Sequence, residues 1–265
     1  MGDTTIGWTN KTWNPVTGCS HKSDGCRNCY AEALSLRYGW SSKPWTAVNA
    51  AENVVLRPER LQAPLHWKKP QMIFVNSMSD LFHEQVPDDY IEKVFSVMAL
   101  ASQHIYQVLT KRPERMMRWC EAHSPVFAGQ RPGWDGSVLT PLPNVWLGTS
   151  VENQRAADER LPYLRNTRAV IRFLSCEPLL GPIDLLFSGR PIDQRIDWVI
   201  AGGESGPHYR PMDLDWARSL RDQCQDAGVA FYYKQGASRF PGRNKQLDGR
   251  EWQEYPATLG RAVCE

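Results

Sequence analysis

Three cysteines lie close together near the amino terminus, in the segment GCSHKSDGCRNC. Cys19, Cys26 and Cys29 form a C-x6-C-x2-C pattern. Thiolates so close along one loop can converge on a single metal centre, and Gly18 and Gly25 allow the loop to wrap it closely. A four-iron cluster normally takes four cysteine thiolates, so a set of three leaves one iron open to a ligand. The spacing therefore predicts a [4Fe–4S] cluster with one free coordination position.

Two other interpretations of these cysteines stay open. His21 lies close enough in sequence to complete a zinc site with the three thiolates. Alternatively, the cysteines are inert thiols, although the polar SHKSDG stretch between them gives packing little reason to use cysteine. Cys120 and Cys224 fall on predicted amphipathic helices and are expected to be core thiols. Of the three interpretations, we favour the iron–sulfur cluster.

Polar side chains follow each predicted strand at the point where its apolar run ends. In parallel α/β folds these strand ends meet at one edge of the sheet, where ligands bind. Residues expected to be catalytic are Lys111, Glu177, Glu204 and Lys234; those expected to bind a cofactor are Asn76, Ser77, Asp80, Glu152, Gly202 and Gly203. Each glutamate, taken alone, is better explained as a solvated loop residue or a helix cap. The repetition over six strand ends favours a binding mouth, and Arg112 adds a further cation to it.

The elements that must position these residues alternate between strand and helix. Strands are predicted at 6–13, 72–75, 106–109, 145–148, 169–174, 198–201 and 231–233, and helices at 29–37, 88–101, 113–122, 153–164 and 214–227. Strands separated by helices indicate a parallel sheet. The number of units favours a partial or complete (β/α) barrel over an open doubly wound sheet. We expect a single barrel domain over residues 1–236, followed by an irregular C-terminal extension over residues 237–265.

Composition places this 265-residue chain among ordinary globular proteins. Apolar residues make up 42%, charged residues make up 23%, and the net charge is +2. That excess charge is too small to indicate a nucleic-acid-binding face from composition alone. No apolar run is long enough to span a membrane, and no signal peptide is evident, so a cytoplasmic location is expected. An odd count of seven cysteines then argues for thiols rather than disulfides.

Four blocks of sequence together resemble a known but uncharacterised family. They are GCSHKSDGCRNCYAE, FVNSMSDLFHE, VLTKRPERM and GGESGPHYRPM, and the likeness covers residues 5–236. The family occurs in bacteriophages and bacteria and is described as having a three-cysteine motif and being radical-SAM-like. The resemblance implies a barrel of radical-SAM type, with Cys19, Cys26 and Cys29 holding a [4Fe–4S] cluster. It also implies that S-adenosylmethionine chelates the fourth iron and that an external electron donor reduces the cluster.

The resemblance further implies an enzyme that forms a 5′-deoxyadenosyl radical, which takes a hydrogen atom from a substrate. In that superfamily the spacing is C-x3-C-x2-C, and a GGE segment after the second strand binds the methionine amino group. Here the first gap is six residues and GGE follows a late strand, so Asn76, Ser77 and Asp80 are expected to substitute for it. The phage association makes a nucleic-acid base or nucleotide a candidate substrate. The alternative is a non-catalytic nucleic-acid-binding or repair accessory protein, stabilised by zinc or an iron–sulfur cluster.

Overall fold

The computed structural model describes residues 4–128, 141–185 and 196–257. The strands are β1 (Lys11–Trp13), β2 (Val16–Thr17), β3 (Val55–Leu56), β4 (Met72–Val75), β5 (Ile105–Thr110), β6 (Val145–Ser150), β7 (Ile171–Cys176), β8 (Trp198–Gly202), β9 (Ala230–Gln235), β10 (Gln246–Leu247) and β11 (Arg250–Glu251). The helices are α1 (Tyr30–Arg37), α2 (Ala50–Asn53), α3 (Asp88–Leu100), α4 (Pro113–Ala128), α5 (Gln154–Asn166) and α6 (Leu214–Ala227). Short 3-10 turns span Asp24–Cys26, Pro58–Arg60 and Ala63–His66.

Seven strands form one parallel sheet in the order β1-β4-β5-β6-β7-β8-β9. Each strand lies beside the one that precedes it in this series, so the sheet curls in one direction into a half-barrel. The order never reverses, whereas an open doubly wound sheet has a switch point where it does. The predicted α/β class and partial parallel barrel are therefore confirmed, and the doubly wound alternative is wrong. All seven carboxyl ends lie at the same edge.

Local sequence explains where the helices begin and end. Asn153 caps α5 by accepting a hydrogen bond from the Ala156 amide, and Asp213 caps α6 in the same way through the Asp215 amide. Gly228 ends α6 in the left-handed conformation, with φ of 65°. The predicted strand over 6–13 was too long. Residues before β1 form a turn instead, in which the Thr9 amide donates to the Ile6 carbonyl.

The two faces of the sheet carry different cores. Side chains on the outer face, such as Val75 and Val199, pack against the helices in a core of mixed aliphatic and aromatic side chains. The inner face carries an aromatic cluster formed by Trp8, Phe74, Trp146, Phe173, Trp198 and Tyr232. Gly148 makes room for this cluster, because a Cβ there would lie 2.6 Å from a ring carbon of Phe173. The aromatic cluster therefore fills the half-barrel from within.

The described part of the C-terminal segment packs on the last two strands of the sheet. The Tyr233 amide donates to the Trp252 carbonyl, and the indole of Trp198 donates to the Glu254 carbonyl at 2.9 Å. The Tyr255 ring packs against the Trp198 ring in a tilted arrangement, with 5.3 Å between centroids. The segment therefore covers part of the inner face beside β8 and β9.

No helix within the described residues combines the length and the apolar character needed to span a bilayer.

Candidate functional site

A cavity of about 230 Å³ opens at the carboxyl edge of the half-barrel. The three cysteines line it together with the ends of β4, β5, β7 and β9 and with the segment after β8. The predicted site residues that it brings together are Cys19, Cys26, Cys29, Asn76, Ser77, Asp80, Lys111, Glu177, Gly203, Glu204 and Lys234. Glu152 and Gly202 lie outside its lining. Residues that are 215 positions apart in sequence thus share one small volume.

The cysteine loop is anchored at one end beside the sheet and at the other end on helix α1. Gly18 adopts a φ of 81°, and a Cβ there would overlap the Asn53 carbonyl oxygen at 1.8 Å, so only glycine fits. The Gly18 amide donates to the Met78 carbonyl, which places Cys19 beside the end of β4. At the other end, Cys29 is the cap residue of α1. The loop therefore has a fixed path between two rigid elements.

Two of the thiols have raised pKa values. Burial raises the pKa of Cys19 to about 12, and nearby Asp80 adds to the rise while Arg112 opposes it. Burial also raises the pKa of Cys29, but the Ala31 and Glu32 amides at the start of α1 and the charge of Lys111 work against it. Metal binding requires thiolates, so a bound cation must displace these protons. The helix start and the two cations are the groups that would stabilise thiolates here.

Arg112 is a buried cation at the base of the cysteine loop. Its guanidinium donates to Asp80 at 3.0 Å and to Glu84 at 2.7 Å, and one of its nitrogens lies 3.8 Å from the Cys19 sulfur. Another of its nitrogens donates to the Ser20 hydroxyl. Arg112 therefore links the loop to the ends of β4 and β5.

The Asp80 carboxylate is hydrogen-bonded to several donors of the protein itself. It accepts hydrogen bonds from the Thr110 hydroxyl, from the amides of Lys111 and Phe82, and from Arg112. Burial alone would raise the pKa of Asp80, but Arg112 and these hydrogen bonds hold it below its usual value. The sequence predicted that Asp80 binds a cofactor. In this geometry it positions Arg112 beside Cys19.

The Glu204 carboxylate is likewise hydrogen-bonded to donors of the protein itself. Its carboxylate accepts from the Arg210 guanidinium at 2.6 and 3.1 Å, from the Arg210 amide and from the Asn28 side chain at 2.9 Å. Arg210 in turn donates to the Asp24 carbonyl. The segment after β8 therefore clamps the cysteine loop on both sides of Cys26. Glu204 was predicted to be catalytic, and here it holds the loop in place.

Glu152 and Gly202 lie behind the cavity lining, and Gly203 is part of that lining. Glu152 is buried in an ion pair with Arg160 at 3.0 Å. A Cβ on Gly202 would lie 3.1 Å from a Glu177 carboxylate oxygen, so this glycine leaves room for Glu177. A Cβ on Gly203 would lie 2.2 Å from the Ala237 amide nitrogen, so a side chain cannot fit there. These contacts explain both glycines by packing within the protein.

The other lining residues leave polar groups available. Lys234 pairs with Glu177 at 2.7 Å, and the pair faces the cavity. The Lys111 ammonium has no ion-pair partner among the described residues. Asn76 is buried, and its side-chain nitrogen is without a hydrogen-bond partner. Ser77 bonds to Asn14 through its side chain. Lys111, Asn76 and the Lys234–Glu177 pair are therefore the groups best suited to contact a polar ligand.

The described residues contain no preformed metal site. Over residues 4–128, 141–185 and 196–257, no group of three or more His, Cys, Asp and Glu side chains is placed so that it could hold a metal ion. His21 donates instead to Glu32 at 2.6 Å.

Sequence reasoning missed several residues that shape the cavity. Trp8, Tyr30 and Trp45 line it, and Tyr30 donates to the Ser77 carbonyl. His83 is buried beneath the loop and donates to the Ser20 hydroxyl, because its other ring nitrogen accepts from the Gln85 amide. The sequence contains eleven tryptophans, but their spacing assigned none of them to this cavity. Nothing in the spacing pointed to His83.

These features define a parallel α/β half-barrel protein with a thiol-lined cavity at the carboxyl edge of its sheet. The chain belongs to the family described as "protein of unknown function (DUF5131)", whose sequence pattern matches residues 3–256. That description states no activity. A search of curated proteins found no match, and a search of solved structures found none either.

Proposed function

We propose that this protein is a radical S-adenosylmethionine enzyme whose [4Fe–4S] cluster is held by Cys19, Cys26 and Cys29. The observation that carries the proposal is the position of the three thiols. They come from one short loop and line one cavity at the carboxyl edge of a parallel half-barrel, where such folds bind their ligands. His21, which the sequence offered as the fourth ligand of a zinc site, is bonded to Glu32. A set of three thiolates leaves one iron for a substrate-sized ligand.

The protein around the thiols suits an anionic centre. Three thiolates carry more negative charge than the iron–sulfur core offsets, so nearby cations stabilise the bound state. Arg112 lies 3.8 Å from the Cys19 sulfur, and the charge of Lys111 acts on Cys29. The amides at the start of α1 add a further positive potential at Cys29. Once bound and reduced by an external donor, the cluster would supply one electron to the sulfonium, releasing methionine and a 5′-deoxyadenosyl radical.

The remaining polar groups would bind and orient S-adenosylmethionine. We assign the methionine carboxylate to Lys111, the unpaired cation of the lining. The Asn76 amide, whose nitrogen lacks a partner, would donate to the same end of the ligand. The Glu177–Lys234 pair would contact the ribose hydroxyls, since a carboxylate accepts from vicinal hydroxyl groups. Trp8 and Phe74 close the floor of the cavity and exclude water from the reacting atoms.

The test is anaerobic reconstitution with iron and sulfide, followed by reduction with dithionite in the presence of S-adenosylmethionine. The expected result is about four irons and four sulfides per chain, together with release of 5′-deoxyadenosine. The Cys29→Ala variant should lose both the bound iron and sulfide and the release of 5′-deoxyadenosine. Cys120→Ala removes a buried thiol that lies outside the cavity lining, and it should retain both.

Other outcomes would replace the proposal. A colourless protein with one zinc per chain would establish a metal-stabilised binding module. A protein that binds the cluster but releases no 5′-deoxyadenosine, with or without candidate substrates, would establish an iron–sulfur accessory protein.

A further inference from the structure

The loop that follows β9 carries an unusual concentration of exposed cations. This rim loop, residues 236–245, has the sequence GASRFPGRNK and contains no acidic residue. Arg239, Arg243 and Lys245 are all exposed. Within the part of the chain that the structure describes, none of the three has an ion-pair partner. By contrast, Arg218 and Arg221 nearby in the fold are paired with Asp248. The positive charge of the rim loop is thus left for another molecule.

An aromatic side chain lies among these cations. Phe240 is 60% exposed, and the Arg239 guanidinium lies 5.9 Å from the centre of its ring. The face of this ring is therefore accessible to another molecule, next to a cation. Tyr209, on the neighbouring segment after β8, is a second aromatic that is 42% exposed. Exposed rings interleaved with cations are the arrangement that binds single-stranded nucleic acid, through base stacking and phosphate contacts.

The rim loop is held at the mouth of the cavity. The rim loop begins directly after Gln235, whose side chain lines the cavity. The same side chain accepts a hydrogen bond from the Gly242 amide at 2.7 Å. The Gly236 amide donates to the Asn244 carbonyl, which closes the loop on itself. The Ser238 amide donates to the Glu204 carbonyl, so the loop is also tied to the clamp on the cysteine loop. Whatever binds the rim loop therefore lies at the entrance to the site.

We infer that the rim loop binds single-stranded nucleic acid and presents one of its nucleotides to the cavity. Arg243 and Lys245 contact phosphates, and Phe240 stacks on a base. The inference deepens the proposed function by naming the substrate class, and it rests on that function for the chemistry. The binding itself does not depend on the cluster.

The test uses the full-length, reconstituted protein and a fluorescently labelled single-stranded oligonucleotide of about 12 nucleotides, as DNA and as RNA. Anisotropy gives the dissociation constant over about 50 to 200 mM salt. Each phosphate contact contributes about 0.7 to the slope of log affinity against log salt on a single strand. Arg243→Ala/Lys245→Ala should therefore lower the slope by about 1.4. Phe240→Ala should weaken binding by about 5-fold to 150-fold, as stacking on one base predicts.

Matched control variants lie at the opposite edge of the sheet. Lys68→Ala/Lys69→Ala removes the same charge from exposed residues just before β4. Leu100→Ala removes an apolar side chain that is also 60% exposed, at the end of α3. Neither control should change the affinity by more than about twofold.

Three results would overturn the inference. These are no binding of either oligonucleotide, an unchanged salt slope in the double variant, or equal losses in the controls. If polyglutamate binds as tightly and with the same dependence on Phe240, the partner is an acidic protein segment instead. The same preparations are assayed for 5′-deoxyadenosine release. If the oligonucleotide binds but no 5′-deoxyadenosine is released, the proposed function is contradicted and this inference stands. If 5′-deoxyadenosine is released but no oligonucleotide binds, the proposed function stands and this inference is overturned.

Discussion

Replacing Glu204 by glutamine tests whether this residue clamps the cysteine loop. The carboxylate is 6% exposed and accepts four hydrogen bonds, two of them from the Arg210 guanidinium. Glutamine has nearly the same shape as glutamate, but only one of its two terminal atoms is an acceptor oxygen. Its NH2 group, which is a donor, would face the donors of Arg210 or Asn28. A hydrogen bond to a charged group contributes about 1.5–3 kcal/mol, and breaking a fully buried ion pair costs about 3–5 kcal/mol. Arg210 keeps 23% of its side chain in contact with water, which reduces this cost.

We therefore expect Glu204→Gln to lower the free energy of unfolding by about 2–4 kcal/mol. Urea denaturation of the metal-free protein measures this directly. Because the clamp reaches Asn28, next to Cys29, the variant should also retain less iron after reconstitution. Arg210→Lys keeps the charge but loses the two-pronged contact, so an intermediate loss is expected. Glu114→Gln breaks an exposed i,i+4 pair with Arg118 and should cost no more than about 0.5 kcal/mol.

The pH dependence of this effect has a definite sign. Burial would raise the pKa of Glu204, but hydrogen bonds from Arg210 and Asn28 hold it below the ordinary value of 4.5. The folded state therefore binds fewer protons than the unfolded state, and the stabilisation is complete above that ordinary value. The difference between wild type and Glu204→Gln should shrink as the pH falls below 4.5. A variant within about 0.5 kcal/mol of wild type at neutral pH, with full iron content, would refute the clamp.

Three further predictions concern the interior. Gly148→Ala should lower the free energy of unfolding by about 1–3 kcal/mol, because the new methyl would overlap the Phe173 ring; an unchanged urea midpoint would contradict the packing described. Asp80→Asn should destabilise the protein by about 3–5 kcal/mol, since it leaves Arg112 beside Cys19 without its buried partner, and equal stability would show that Glu84 alone suffices. Burial and the charge of Arg112 lower the pKa of His83 to about 4, so its NMR signals should not titrate between pH 6 and 8. As the pH falls from 6.5 towards 4, the unfolded state takes up this proton first, so His83 should contribute a loss of stability over that interval.

The parallel architecture was predictable because the strands are short, apolar and separated by amphipathic helices. Met72–Val75 and Leu214–Ala227 match their predicted bounds for this reason, since every residue of the strand is buried and the helix has both caps. The first strand was predicted too long because Trp8 looks like a strand residue. It is buried through a turn, where it joins the aromatic cluster on the inner face.

The cavity could be predicted in part. Parallel strands put their ends at one edge, so the polar residues after β4, β5, β7 and β9 were expected to meet, and they do. Which carboxylates remain free depends on partners that sequence does not reveal. Glu204 is bonded to Asn28, which lies 176 residues away, and Glu152 is taken up by Arg160. Likewise, the contact of Gly148 with Phe173 depends on the register of β6 and β7.

Electron paramagnetic resonance of the reduced protein tests the central claim most directly, because it reports whether an iron is open to S-adenosylmethionine. The anaerobically reconstituted protein is reduced with dithionite and frozen with and without S-adenosylmethionine. We predict an iron–sulfur signal whose shape changes when the ligand is added and which is absent in Cys29→Ala. An iron–sulfur signal that the ligand leaves unchanged, or a protein that takes up zinc and gives no signal, would contradict the account.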